Sequence, residues 1–489
     1  MKFNPYIFEL YKNSDHGKEV IASFKPEVGE DCYNLSVKYN PVTKIEPKDL
    51  FADTVDAVFC YYTSESEEPT TMQEARDSFM ALADRGLHVE NDDYFCSEAY
   101  DMILAAIAPI SFAFYVSSKF CFPYLFQYNF FSLNKTADLF DIELPAIPKK
   151  SDYRARCVYY MDLCETLYTF RTENKLSPSE LCAFLYDFAP NLWRCNAKEA
   201  IPRAAQAWFI GGVVSEYDKQ MDAPFWQANA ETKKGDILVH YETSPISAIT
   251  RMWIAQTDGV VDPFFHYYSN AYIGDSKPVP SVSLKELKTD SYFAKHSLVR
   301  KGFQGVNGWP ISSEDYNELL RMFRDKGADV AVLPKLYAPS TPTNVHIEHE
   351  KDVEEQLLEY YLHKMGWEEG RDYIRQLSVH AGRKVRVYPD YTLFYSDKSG
   401  YESAKVLIEA KLYMKSNREI ETAFVQARSY ANLLESSLIV LCDKQCLIVY
   451  DRQDGFDRDR YEKYYWSELQ DPDVYRSFKN KLTNQKTTK

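Results

Sequence analysis

The sequence predicts a multidomain protein of mixed α/β and α+β class: an N-terminal mixed α/β unit (1–200), a central β-barrel (201–335) and a C-terminal α/β core (348–489). Three observations lead there. At 489 residues the chain is too long for one hydrophobic core. Near residue 200 the texture changes from helical spacing of apolar residues to short β-rich runs separated by turn residues. The proline-bearing stretch Tyr337-Ala-Pro-Ser-Thr-Pro-Thr-Asn344 then reads as a linker (336–347), and an α–β–β–β–α–β–β pattern follows it.

Composition narrows the class. The 45% apolar fraction and 38 tyrosines suffice for packed interiors, and only the polar tail from Thr483 is expected to be disordered. The net charge of −15 is uneven: residues 1–200 carry 19 Lys+Arg against 31 Asp+Glu, residues 201–341 carry 15 against 16, and residues 342–489 carry 23 against 25. Such a chain is unsuited to loose, sequence-blind binding of phosphate backbones, although local basic surfaces remain open to the near-neutral parts. The opening MKFNPYIFELYKNSD lacks a long apolar run, so no signal peptide is expected. Cysteines such as Cys60, Cys96, Cys157 and Cys182 sit among apolar residues, as reduced thiols of a cytoplasmic protein would. Cys442 and Cys446 form a lone CxxxC with no second ligand pair, which argues against zinc. The apolar run Met102–Ser118 is barely long enough to span a bilayer and contains Pro109, so it reads as a buried helix and strand and no membrane is expected.

In the N-terminal unit, Ala57–Ser64 reads as a strand and Thr71–Arg85 as a helix. Tyr160, Leu163, Leu167 and Phe170 then recur at helical spacing. Ser177-Pro-Ser-Glu180 opens a second helix with an N-cap, a proline at the first helical position and a Glu at the third. The pair is compatible with a helix-turn-helix, but its acidic surroundings favour an interaction or dimerisation element. In the barrel, strands are expected at Ala207–Ser215, Asp236–Tyr241 and Ala248–Gln256, with a closing helix Ser312–Phe323. In the last unit a helix with Val353, Leu357, Tyr361 and Met365 on one face precedes strands Val385–Tyr388, Tyr391–Tyr395 and Val406–Leu412. A helix over Arg418–Glu435 and strands Ser437–Cys442 and Cys446–Tyr450 complete it.

Chemistry concentrates here. Pro389-Asp390 opens one strand, and Glu409-Ala410-Lys411 ends the apolar run Val406-Leu407-Ile408. Glu409 and Lys411, two apart on a strand, leave the same face about 7 Å apart. Charges following a buried apolar run are costly unless they pair with each other or with a metal. Hard oxygen ligands suit Mg²⁺, and a nearby Lys can orient an attacking water and offset charge developing on a phosphate. An ordinary hairpin ending in a salt bridge is the bland alternative. Context speaks against it: Gln426 and Tyr430 lie four apart on the next helix, and Glu350, Glu354 and Glu355 offer a further carboxylate on the preceding one.

With these motifs in order, residues 348–452 resemble the nuclease domain at the start of type I restriction endonuclease subunits and RecB-family nucleases. The resemblance implies a restriction-endonuclease-like core of PD-(D/E)xK type. It implies Mg²⁺ (or Mn²⁺) held by Asp390, Glu409 and the carbonyl of Ala410, with Lys411 catalytic. The helical Glu of that family matches Glu354, with Glu350 and Glu355 as rivals, and its QxxxY motif matches Gln426 and Tyr430. The segments WFIGGV, KKGDILVHYETSPISAITRMWIAQ and GWPISSEDYNELL similarly resemble the PUA-like EVE domain over about residues 205–325. That resemblance implies recognition of a modified base flipped onto aromatic rings. Trp226 is the first choice of ring and Trp309 the second, with Tyr241 and Trp253 also on offer, the alternative being that they pack the core. Together the two resemblances imply a modification-dependent restriction enzyme acting on DNA, possible as a homodimer. No GxxxxGK[ST] is present, so no nucleotide cofactor is expected. The rival readings are a nuclease triggered through residues 1–200 and a catalytically inactive binding protein.

Overall fold

Helix caps and buried apolar runs organise the chain much as their spacing suggests. The computed structural model describes residues 2–24, 69–87, 119–124, 129–195, 201–214, 225–264, 269–382 and 384–483. These fall into two compact units, one of Met1–Ile201 with Pro224–Glu231 and Thr257–Tyr272, the other of the remaining residues to Lys489. The runs Ala57–Ser64 and Met102–Ser118, with Cys60 and Cys96, lie outside the described residues. No helix among the described residues is long and apolar enough to cross a membrane.

Within 1–200 every regular element among the described residues is helical. Helices Pro5–Asn13, Asp15–Ser23, Met72–Leu87, Asn129–Phe140 and Tyr153–Glu173 pack around Phe8, Phe79, Tyr160 and Phe184. The helix opened by Ser177 has the expected capping box with Glu180, and runs on through a π-helical turn (Phe184–Phe188) to Cys195. Cys121, Cys157, Cys164 and Cys182 are buried.

The strands, in chain order, are β1 (Ala207–Gly212), β2 (Phe225–Gln227), β3 (Ile237–Glu242), β4 (Ala248–Ala255), β5 (Val260–Val261), β6 (Ser269–Ser283) and β7 (Trp309–Ile311). Those of the last segment are β8 (Tyr373–Arg375), β9 (Val379–Gly382), β10 (Val385–Val387), β11 (Tyr391–Ser396), β12 (Ser403–Ala410), β13 (Leu438–Cys442), β14 (Cys446–Asp451) and β15 (Glu462–Tyr465). In the first unit β2 and β5 pair with the start of β6. In the second, β6, β4, β3, β1 and β7 neighbour one another in that order, with β1 and β3 parallel. Register shifts at His240/Tyr241, Ile249/Arg251 and Met252/Ile254 curl this sheet into a half-barrel. The turn before β3 requires glycine: Gly235 has φ +97°, and a Cβ there would lie 2.4 Å from the Pro202 carbonyl oxygen. Helix Ser313–Asp325, boxed by Ser312 and Asp315, closes the core through Tyr316, Leu319 and Phe323.

A second sheet of order β15-β14-β13-β12-β11-β8 holds the C-terminal segment together. Its β12–β13 pair is parallel and its other pairs antiparallel. Both faces are covered, which is why Val406–Ile408 and Leu438–Leu441 read as unbroken apolar runs. Val406 and Ile408 meet Leu357, Tyr361 and Leu362 of the helical stretch Glu350–Lys364 together with Tyr475 and Phe478. Leu407 meets Phe424, Ala427 and Ala431 of helix Asn417–Leu433, which Ser416 and Glu419 cap. Val353, Leu357, Tyr361 and Met365 are buried as their spacing predicts. Val385–Val387, expected among the strands of this core, instead pairs with β9 in a separate two-stranded ribbon. The segment expected as a linker has no regular structure but is packed: the Tyr337 N–H donates to Ala204 O at 2.7 Å and its ring meets Tyr475 edge-on.

Candidate metal centre and nucleic-acid site

Strand register assembles the predicted cluster. Tyr391 lies opposite Ile408, which sets Asp390 beside Glu409 and Ala410. One carboxylate oxygen of Asp390 accepts the Ala410 N–H at 2.9 Å. Ala410 and Cys442 are register partners on the parallel strands, and the Lys411 N–H donates to Cys442 O at 2.8 Å, so Glu409 and Lys411 stand at the C-terminal end of β12. The strand stops at Ala410. Lys411 then turns its Nζ among three carboxylates, 3.1 Å from Glu350, 3.6 Å from Glu409 and 4.0 Å from Asp390, and donates to Ala410 O at 2.7 Å.

Of the three glutamates on the preceding helix, Glu350 makes the direct contact. Glu354 is half-buried; burial and the charges of Asp390 and Glu350 push its carboxyl up to about 7. Glu355 is exposed and pairs with Lys351. Gln426 reaches across from helix Asn417–Leu433 and donates to Glu409 Oε2 at 3.1 Å. Tyr430, one turn further, packs half-buried against the apolar cluster under that helix. Two residues absent from the sequence reading also bear on the site. Gln376 donates its backbone N–H to Asp390 O at 3.1 Å, and Glu359 accepts from the Tyr391 hydroxyl at 2.7 Å. Neither belongs to a motif, so only the fold could reveal them.

The donor set fits a hard divalent cation. Glu409 is 1% exposed, and its Oε1 has no hydrogen-bond partner. Burial, with the neighbouring Asp390 charge, pushes its carboxyl up to about 8, although Lys411 opposes the shift. An acid held this way is short of positive charge, which a cation would supply. No group of three or more His, Cys, Asp and Glu side chains among the described residues has cation-binding spacing as it stands. Lys411 Nζ instead stands within 4.0 Å of Glu350, Glu409 and Asp390. Burial opposes its charge, but Glu409, Asp390 and Glu350 outweigh burial and raise its pKa. Asp390, Glu409 and the Ala410 carbonyl would hold the cation, which when bound would polarise a phosphate and acidify a water.

This electrostatic state has a measurable signature. Glu409 and Glu354 bind protons more tightly in the folded chain than in the unfolded one. Their contribution to stability is therefore lost as pH rises from about 4.5 towards 8. In EDTA, Glu409→Gln should be more stable than wild type at pH 8 and nearly equal at pH 4.5. Thermal melts across that range check it; parallel curves would contradict the buried-acid state. Gln426→Ala should weaken Mg²⁺ binding roughly tenfold without abolishing it, because its contact orients Glu409. Calorimetric Mg²⁺ titration of the variant beside wild type checks it.

The candidate rings divide. Tyr241 is buried and stacks on Phe303 with centroids 4.0 Å apart, and Trp253 is 2% exposed. Both pack the interior. Trp309, on β7, is half-buried, with the Lys301 ammonium 5.8 Å from its ring centroid and His296 edge-on at 6.5 Å. Trp226 is half-buried on β2 opposite Ala271, within the first compact unit. Of the candidate rings within the second unit, only Trp309 is left without full burial.

Comparison with known proteins adds little. No protein family matches the chain, and no curated protein matches it. Among solved structures, Rpa0253 from Rhodopseudomonas palustris is similar at 16% identity and a TM-score of 0.22, covering 25% of this chain and 96% of its own. Atu2648 from Agrobacterium tumefaciens is similar at 19% identity and a TM-score of 0.22, covering 27% and 97%.

Proposed function

We propose that the chain is a Mg²⁺-dependent DNA endonuclease of PD-(D/E)xK type, with Mn²⁺ able to replace Mg²⁺. One observation carries this reading. Glu350, Asp390, Glu409 and Lys411 converge at one end of a sheet, around a buried carboxylate oxygen that has no partner. In this reading Asp390, Glu409 and the Ala410 carbonyl bind the cation, and Lys411 swings off the carboxylates to orient the attacking water. Glu350 pairs with that ammonium in the absence of the cation, and Gln426 holds Glu409 in its rotamer. The second sheet then corresponds to a restriction-endonuclease-like core and the curled sheet to a PUA-like EVE-type barrel. Trp309 is the first choice for stacking a modified base, which makes the chain a modification-dependent restriction enzyme acting in defence against foreign DNA. Incubation of the purified chain with modified and unmodified plasmid, in Mg²⁺ and in EDTA, tests the proposal. Metal-dependent cutting favouring modified plasmid is expected, and intact plasmid of both kinds would refute it.

A second reading has its own observation. The N-terminal unit holds a cavity of about 130 Å³ lined by Phe24, Phe122, Leu167 and Cys182, with Arg171 at its wall. That volume suits a small apolar ligand. A nuclease triggered by such a signal would cut modified and unmodified DNA alike once the ligand is present.

A further inference from the structure

Two loops extend from the catalytic end of the second sheet: 411–416 after β12, and the turn 443–445 between β13 and β14. Because β12 and β13 are parallel neighbours, both loops emerge at the same end, next to Glu409 and Lys411. Asp443 fastens them together. One of its carboxylate oxygens accepts the Met414 N–H at 2.8 Å, and the other accepts those of Gln445 and Cys446 at 2.8 and 2.9 Å. The loops so joined present Tyr413 half-buried, with the Lys415 ammonium 4.2 Å and the Lys444 ammonium 4.0 Å from its ring centroid.

Two ammonium groups on one ring, in a chain of net charge −15, call for an anion. The nearby acids supply it only in part: Glu419, held below the usual carboxylate range by its Ser416 hydrogen bonds, also feels the Lys415 charge without pairing with it. Asp443 is committed to three backbone donors, and Glu419 accepts the Ser416 N–H and hydroxyl in the helix cap at 2.8 and 2.9 Å. Neither lysine forms an ion pair with a carboxylate among the described residues, whereas Lys411, in the same loop, contacts three. The aromatic ring stabilises the ammonium groups without neutralising them.

We infer that Lys415 and Lys444, held against Tyr413, clamp a backbone phosphate of the nucleic-acid strand beside the phosphate being cleaved. This rests on the nuclease reading and names the surface through which that site holds its substrate. Lysine is a point-charge phosphate binder, and two lysines from separately anchored loops fix a phosphate's position more tightly than one could. The clamp is independent of base identity, so it supplies register and leaves discrimination to the rest of the chain.

The test is binding of a fluorescent duplex by the full chain in Ca²⁺, over a range of salt, for wild type, Lys444→Gln, Lys415→Gln and Lys444→Arg. Each glutamine variant should weaken binding roughly three- to tenfold and make the log–log salt slope shallower by about 0.9. Lys444→Arg should retain both. All variants should melt like wild type and bind Mg²⁺ equally. Unchanged affinity and salt slope in both glutamine variants would overturn the clamp, as would a wild-type chain that binds no duplex. Cleavage is scored separately in Mg²⁺. A chain that binds through these lysines but never cuts refutes the nuclease reading alone; one that cuts with slopes unaltered refutes the clamp alone.

Discussion

Asp390→Asn and Glu409→Gln should each lower the rate of metal-dependent DNA cleavage by about 10²–10⁴-fold while leaving the chain folded. Each carboxylate is a ligand in the proposed centre, and neither carries apolar packing that its amide isostere would lose. Asp390 also accepts the Ala410 N–H, a bond that asparagine keeps if its amide oxygen faces the strand. Glu409→Gln removes a carboxyl whose ionisation is costly without the cation, so at pH 8 its fold should be at least as stable as wild type's. Loss of activity together with a higher melting temperature in EDTA is the signature of a functional group retained at the expense of stability. A Glu409→Gln chain that cut DNA at the wild-type rate would remove Glu409 from the chemistry.

The second large effect concerns the barrel. A ring that stacks on a flipped base contributes about 1–3 kcal/mol, or roughly five- to 150-fold in affinity. Trp309→Ala should therefore abolish preference for modified over unmodified duplex while leaving Mg²⁺ binding intact. The measurement uses the full chain, because the barrel shares packing with the C-terminal helix: Ser313 N–H donates to Asp473 at 2.8 Å, and Arg476 contacts Gln206. Tyr241→Ala and Trp253→Ala serve as contrasts. Their rings are buried, so they should cost about 3–5 kcal/mol of stability, with any binding loss following from unfolding. Equal preference in folded Trp309→Ala would exclude Trp309 as the stacking ring.

The residues of the candidate centre were legible because the chemistry leaves a local trace. A Glu and a Lys directly after Val-Leu-Ile are anomalous in a buried strand, and Pro-Asp fixes the start of its neighbour. Which helical glutamate reaches Lys411 was not legible. Glu350 and Glu354 lie one turn apart on the same face, and the π-helical turn Glu354–Leu358 begins at the second of them. The strands that sequence patterning missed in this sheet, β8 and β15, are its two edges. An edge strand is half solvated, so Tyr373-Ile-Arg375 and Glu462-Lys-Tyr-Tyr465 show no apolar run. β6 was hidden differently: its Lys277, Pro278 and Pro280 suggest turns, yet the strand continues through Ser283. Trp226 illustrates the same limit, since its grouping with the first unit depends on pairing with a strand start more than 40 residues away.

In the proposed function the Asp390–Glu409–Lys411 cluster is a cation site and not a closed network of ion pairs. Calorimetric titration of the purified wild-type chain with Mn²⁺ at pH 8, beside Glu409→Gln, tests it most directly. A saturable site is expected in wild type, with proton release as Glu409 gives up the proton it still partly holds at that pH, and no such site in the variant. Identical isotherms for the two chains, or no binding by wild type at millimolar Mn²⁺, would contradict it.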